Sequence, residues 1–174
     1  MNPALHPGRQ VGAVGPAEDD GGFEAFVRAR LQHLLRFGYV LTGSEHAAAD
    51  LVQDALERSL LRWSRITSDD PEGYVRRTMV NRSISVWRKL GRERVTDEVP
   101  VGTYRDPERD EALLAALRRL PARQRAVIAL RYYEDLTEAR TAQVLGCSIG
   151  TVKSQSSLAM TRLRTLLETT QEES

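Results

Sequence analysis

The sequence predicts an all-α protein built of two small helical domains joined by a flexible linker. Three observations predict it. Apolar residues recur at three- and four-residue spacing through most of the chain and nowhere alternate over a strand's length. Leu, Ala, Arg and Glu dominate, and β-branched residues are not clustered. Between two helical stretches, residues 95–107 lose all periodicity and carry two prolines and a glycine.

Taken in order, residues 1–22 form a Gly- and Pro-bearing polar tail with an acidic patch, Glu18, Asp19 and Asp20. Lacking an apolar stretch, it reads as disordered and not as a secretory signal. A first helix is expected over 23–41, with Phe26, Leu31, Leu34, Leu35 and Val40 as its stripe. Gly43 ends it and Ser44 caps the next. The second helix runs over 45–63 on Leu51, Val52, Ala55, Leu56, Leu60 and Trp63. A polar loop, 64–70, leads to Asp70-Pro71, a cap and first-turn pair. The third helix follows to about Leu90, with Trp87 expected in the core. After the linker, four shorter helices are expected over 108–119, 122–133, 138–145 and 149–168. Thr137 and Ser148 cap the last two. The domains are then a 1–22 tail, a 23–94 unit, a 95–107 linker and a 108–170 unit.

The formal charge of +1 conceals an asymmetry. The segment 23–94 carries +4 and 112–174 carries +3, while 95–111 carries −4 and the tail −2. Two basic blocks on either side of an acidic strap suggest two anion-binding modules. With 41% apolar residues the chain has enough material for a core, and no apolar run approaches the ~18 residues of a membrane span. One cysteine, Cys147, excludes a disulfide framework and reads as a packing residue. A reducing cytoplasm fits.

Residues 138–145, the turn Gly146-Cys147-Ser148 and the helix from Ile149 form a helix–turn–helix. In its second helix Val152, Ser156, Ala159, Leu163 and Leu166 make the buried stripe. Gly150, Ser154, Ser157 and Thr161 face away, with Thr151 and Lys153 at the flanks. Small polar side chains let a helix sit close to base edges and phosphates. On the third helix Arg77, Asn81, Ser85, Arg88 and Arg92 share one face, flanked by Arg82 and Lys89. Residues 74–94 hold seven basic groups against one acidic. That pattern suits a nucleic acid backbone plus a base-edge contact. On the second helix Asp50, Gln53, Asp54 and Glu57 form an acidic face opposite the apolar stripe, pointing to a different partner or to plain solvation.

These strings resemble the sigma-70 family, and within it the extracytoplasmic-function (ECF) group in an actinobacterial-like form. Asp50-Leu51-Val52-Gln53-Asp54 with Trp63 is similar to the first part of region 2, and Tyr74-Val75-Arg76-Arg77 through Asn81 to Arg88 to its second part. Leu120 to Arg125 with Leu130-Arg131-Tyr132-Tyr133, and then Leu145 to Ser154 with Arg162-Leu163-Arg164, are similar to region 4. The resemblance implies a transcription initiation factor. Asp50, Gln53 and Asp54 would dock on the β′ clamp helices of core RNA polymerase, and region 4 would meet the β flap. Arg77, Asn81, Arg82, Ser85, Arg88, Lys89 and Arg92 would hold the melted −10 element, a flipped base lodging near the 64–72 loop and Asn81. Arg140, Thr151, Lys153, Ser154 and Ser157 would read the −35 element. The acidic linker would thread the RNA exit path. An anti-sigma factor is an implied partner, and no cofactor, metal or membrane insertion is implied. Family members often carry arginines where this chain has Gln155 and Leu158, Glu where it has Arg140 and Ile where it has Thr141, which bears on its −35 preference.

Two other classes remain for comparison. A helix–turn–helix regulator with an unrelated sensor domain would need neither the Asp50–Asp54 face nor the 74–94 stripe. An enzyme finds little support. His6, His33 and His46 share no metal-ligand spacing with cysteine or carboxylates, no Gly-rich phosphate loop is present, and no serine sits in a nucleophile elbow.

Overall fold

A computed structural model of the protein describes residues 20–66, 70–90 and 111–172. Most of the expected tail, the linker 95–107 and Arg92 lie outside the described residues. The described residues are helical, with no strand among them: α1 Asp20–Thr42, α2 Glu45–Leu60, α3 Trp63–Ile66, α4 Pro71–Leu90, α5 Glu111–Arg118, α6 Ala122–Ile128, α7 Glu138–Leu145 and α8 Ile149–Glu172. None of these is long and apolar enough to cross a membrane.

The boundaries follow local chemistry. Gly43 takes a left-handed φ of 73°, which stops α1 at little cost for a residue without Cβ. The Ser44 hydroxyl accepts from Ala47 N at 3.3 Å, Asp70 Oδ1 from Gly73 N at 2.8 Å, Thr137 Oγ1 from Arg140 N at 3.2 Å and Ser148 Oγ from Thr151 N at 3.0 Å. Each supplies an acceptor to an N–H that a helix start leaves orphaned. All four are the caps expected from the sequence.

Three expectations are corrected. The second helix ends at Leu60, and the expected loop begins with a helical turn, α3. Leu60 is exposed and Ser59 is buried instead, its hydroxyl donating to Ala55 O at 2.7 Å. That local bond lets a serine occupy a core position. Trp63 is nonetheless buried, edge-on to Phe23 and tilted against Phe26 with centroids about 5 Å away. Trp87 is 36% exposed, not a core residue, because it lies at the margin of α4's packed face. The helix expected over 122–133 loosens after Ile128 into a π-helical turn, Ala129–Tyr133, closed by Glu134 N donating to Ala129 O at 2.9 Å. One inserted residue of this kind rotates the following side chains off the regular stripe.

The two helical units pack on each other. One hydrophobic core joins Leu34, Phe37, Leu51, Val52, Val75 and Met79 of the first unit to Val127, Leu130, Val144 and Leu145 of the second. Each such side chain contributes about 1.5–3 kcal/mol when fully buried. A smaller core holds α5, α6 and α8 together through Leu117, Leu120, Ile128, Ala159 and Leu163.

Candidate nucleic-acid interface

Along α4 the buried residues Val75, Met79, Val80 and Ser83 leave the other side of the helix to solvent. Arg77, Asn81, Arg82, Ser85, Arg88 and Lys89 are all exposed there. A single helix face therefore carries the expected cations with Asn81 in the middle. Beside it opens a cleft of about 480 Å³ lined by Arg58, Leu61, Arg62, Tyr74, Thr78, Asn81, Arg82 and Ser85. It lies in the about 300–1,000 Å³ range of small-molecule sites, and its lining mixes cations, an aromatic ring and amide and hydroxyl groups. Such a lining sets positive charge, a stacking surface and hydrogen-bonding groups side by side. Leu61, 86% exposed, stands at its lip. Sequence reasoning placed Asn81 here and missed Arg58, Leu61, Arg62 and Thr78. The available signal was Leu60-Leu61, a pair too close for both to lie on one helical stripe.

The acidic face of α2 is only partly separate. Asp50 and Gln53 are exposed, Asp50 standing 3.7 Å from His46 and Gln53 donating to Glu57 at 2.9 Å. Asp54 is half-buried, 3.0 Å from Arg58 and 3.5 Å from Arg82. It thus ties the acidic face to the basic one.

In the helix–turn–helix, Gly146 adopts φ 63° to end α7, and Cys147 packs against the core. Val152 and Ala159 are fully buried and Leu163 nearly so. Gly150, Thr151, Lys153, Ser154, Ser157 and Thr161 are exposed. Ser154 and Thr161 turn their hydroxyls back to Thr151 O and Ser157 O at 3.0 and 3.1 Å, and Lys153 reaches Glu138 at 3.8 Å. Arg140 is also exposed, but it does not join this face. It donates to Gln143 at 3.1 Å and to Asp70 Oδ2, on the first unit, at 3.2 Å.

Residues 26–93 match the family described as Sigma-70 region 2, and residues 110–163 the family described as Sigma-70, region 4. The RNA polymerase sigma-E factor of Streptomyces antibioticus is 38% identical over 153 residues, 84% of this chain and 85% of that protein. The chain belongs to the sigma-70 family, in its ECF group. The ECF RNA polymerase sigma factor SigE of Mycolicibacterium smegmatis is 28% identical over 89% of this chain and 65% of that protein. Among solved structures, the sigma factor RpoE in complex with the anti-sigma factor NepR from Bartonella quintana shares the fold. It has a TM-score of 0.71 and 28% identity, over 84% of this chain and 97% of that one.

The sigma factor's region 2 and region 4 meet through two polar anchors that sequence reasoning did not find. The first is Glu134, whose side chain is only 3% exposed. Its Oε2 accepts from Arg76 Nε and its Oε1 faces His33 Nε2, both at 2.6 Å. Arg76 also reaches Glu72 at 3.2 Å, and Arg30 pairs with Glu72. His33 and Phe37 stack on Tyr133. The π-helical turn directly precedes Glu134, and a regular 3.6-residue count does not reveal it. His33, Glu72 and Glu134 place ligand atoms within 4.8 Å of one another, a grouping that chain spacing conceals. Arg30 and Arg76 already neutralise both carboxylates, so the arrangement is an ion-pair network.

The second anchor is Arg125, fully buried on α6. Among the described residues it has no carboxylate partner. Its Nε donates to Leu117 O, Nη1 to Leu41 O and Nη2 to Arg118 O and Leu120 O, each at 2.9 Å. The Leu41, Leu117 and Arg118 carbonyls lie in the last turns of α1 and α5, the negative poles of two helices, and Leu120 O lies in the turn just beyond α5. The Trp87 ring covers the guanidinium at 4.5 Å. Burial, and then the charge of Arg118, lower its pKa from the usual guanidinium range to about 10, which leaves it charged at neutral pH.

Proposed function

We propose that this sigma factor binds core RNA polymerase and directs it to promoters, region 2 (23–94) melting and holding the −10 element and region 4 (108–170) reading the −35 element. Asp50, Gln53 and Asp54 dock on the β′ clamp helices, and region 4 meets the β flap. The stripe Arg77, Asn81, Arg82, Ser85, Arg88 and Lys89 tracks the separated strand, and the sequence assigns Arg92 the same role. The cleft at Asn81 and Tyr74 takes the extruded base. Thr151, Lys153, Ser154 and Ser157 face the −35 duplex. The chain carries out no chemistry of its own, works in the cytoplasm, and is held in check by an anti-sigma factor of the kind bound to its Bartonella relative. One observation carries the reading. The α4 stripe and the α8 hydroxyl face both stay open to solvent although the two units share a core.

The closed arrangement belongs to the free chain. The two promoter elements are centred about 25 base pairs apart, or about 85 Å at 3.4 Å per pair. A compact chain of about 150 residues is roughly 40 Å across. Region 4 therefore leaves region 2 for both elements to be held, and Arg140 exchanges Asp70 for a phosphate.

Transcription in vitro with core enzyme and a promoter library tests this directly. Asn81→Ala is expected to impair promoter opening more than duplex binding, and Lys153→Ala to weaken −35 binding. Equal loss in both assays for Asn81→Ala would remove its −10 role. Failure to start RNA at any defined site would remove the whole reading.

A further inference from the structure

Leu158 sits where a hydrophobic residue has no place on a solvated helix face. It is 50% exposed, one turn beyond Ser154 and two beyond Thr151, and all three point outward. Val152, Ala159 and Leu163 already bury the opposite side of α8. From Ile149 to Thr161 the helix carries a single charged side chain, Lys153. Arg162, one turn beyond Leu158, is exposed as well but donates to Gln124 at 2.8 Å. A face with so few free cations gains little from phosphates, so its discrimination falls to groups that touch bases.

The major groove offers one apolar feature, the thymine 5-methyl group; the other marks on base edges are hydrogen-bond donors and acceptors. Hydroxyls such as those of Thr151, Ser154 and Ser157 accept or donate to any base. A leucine among them matches only the methyl. We propose that Leu158 is a specificity-determining residue that packs against a thymine methyl in the −35 element. The inference rests on region 4 reading that element through α8.

A protein groove is the other candidate cover for an exposed leucine, and the placement disfavours it. The neighbouring exposed apolar residue, Met160, stands two positions on, about 200° around the helix at 3.6 residues per turn. Ile149 is exposed more than two turns away, at the start of the helix. Leu158 is thus single, set among the polar side chains of Ser154, Gln155, Thr161 and Arg162, and too small a patch to anchor a partner protein.

The test uses the full chain bound to core polymerase and a promoter selected by that holoenzyme. Each −35 thymine is replaced in turn by deoxyuridine, which removes the methyl alone. At one position the uracil duplex is expected to bind about fourfold more weakly, the worth of one buried methyl group. Leu158→Ala should weaken binding to the thymine duplex by a similar factor and abolish the thymine–uracil difference. Lys153→Ala should weaken both duplexes alike and keep the difference. The inference is overturned if no uracil matters, if the difference survives Leu158→Ala, or if the selected element contains no thymine. It is likewise overturned if Leu158→Ala weakens core binding instead. If neither uracil nor Lys153→Ala has any effect, region 4 does not read the −35 element through α8, and the underlying reading fails with it.

Discussion

His33 Nε2 lies 2.6 Å from Glu134 Oε1, across the contact between region 2 and region 4. Because a carboxylate only accepts, the imidazole proton sits on Nε2 and the ring donates. Arg76 fills the other Glu134 oxygen, so one buried side chain of region 4 satisfies two groups of region 2. Glu134→Ala would leave Arg76 without this partner in a largely buried site, at a cost of about 3 kcal/mol to the closed form. The expected result is a larger radius of gyration in solution scattering for the free chain, with helix content unchanged. An unaltered scattering profile would show that the apolar core alone keeps the regions together.

Much of the fold was legible in the sequence because caps and stripes are local. Asp70-Pro71, Ser44, Thr137 and Ser148 each state a boundary within four residues, and the inward stripe of α8 keeps its three- and four-residue spacing from Val152 to Leu166 with Ser156 its one polar member. The candidate DNA faces were legible for the same reason: Arg77, Asn81 and Ser85 share a face by spacing alone. What was not legible depends on distant chain. Glu134 meets His33 across 101 positions, and Arg125 meets Leu41 O across 84. Arg125 looks like a surface arginine until the ends of α1 and α5 converge on it. Trp87 looks like core until Arg125 supplies its partner.

Arg125→Met keeps the stem's bulk and deletes the charge, leaving four inward-facing carbonyls without their shared donor. A loss of about 3–5 kcal/mol is expected, read as a fall in denaturation midpoint. Lysine should recover less than half, because one ammonium cannot span the fork. The pH dependence has a definite sign. With the folded pKa lowered to about 10, the guanidinium is charged in both folded and unfolded chains below that pH. Its contribution is therefore constant from about pH 6 to 9, and stability rises only above about pH 10, where the folded chain sheds the proton before the unfolded one does. The gap between wild type and Arg125→Met should be the same at about pH 6.5 and 8.5.

Thr141 is fully buried on α7, and its Oγ1 has no hydrogen-bond partner among the described residues. Thr141→Val keeps the shape and removes the unsatisfied hydroxyl. The variant is expected to be about 1 kcal/mol more stable in urea titration, with an unchanged slope. A loss of stability would mean that the hydroxyl holds a water.

Asp50 and Asp54 should separate docking from folding. The Asp50 side chain is 70% exposed and, among the described residues, pairs with His46, so Asp50→Lys removes a docking charge at little structural cost. Asp54 holds Arg58 and Arg82, so Asp54→Lys sets three cations together and loosens α2 from α4. Titration against core polymerase is expected to show both variants at least tenfold weaker. Thermal melts should show a lowered midpoint for Asp54→Lys alone. Unchanged core binding by Asp50→Lys would move the docking surface off this face of α2. A lowered midpoint for both variants would attribute the binding loss to unfolding, and the less intrusive Asp50→Asn would then have to reproduce the loss for the docking assignment to stand.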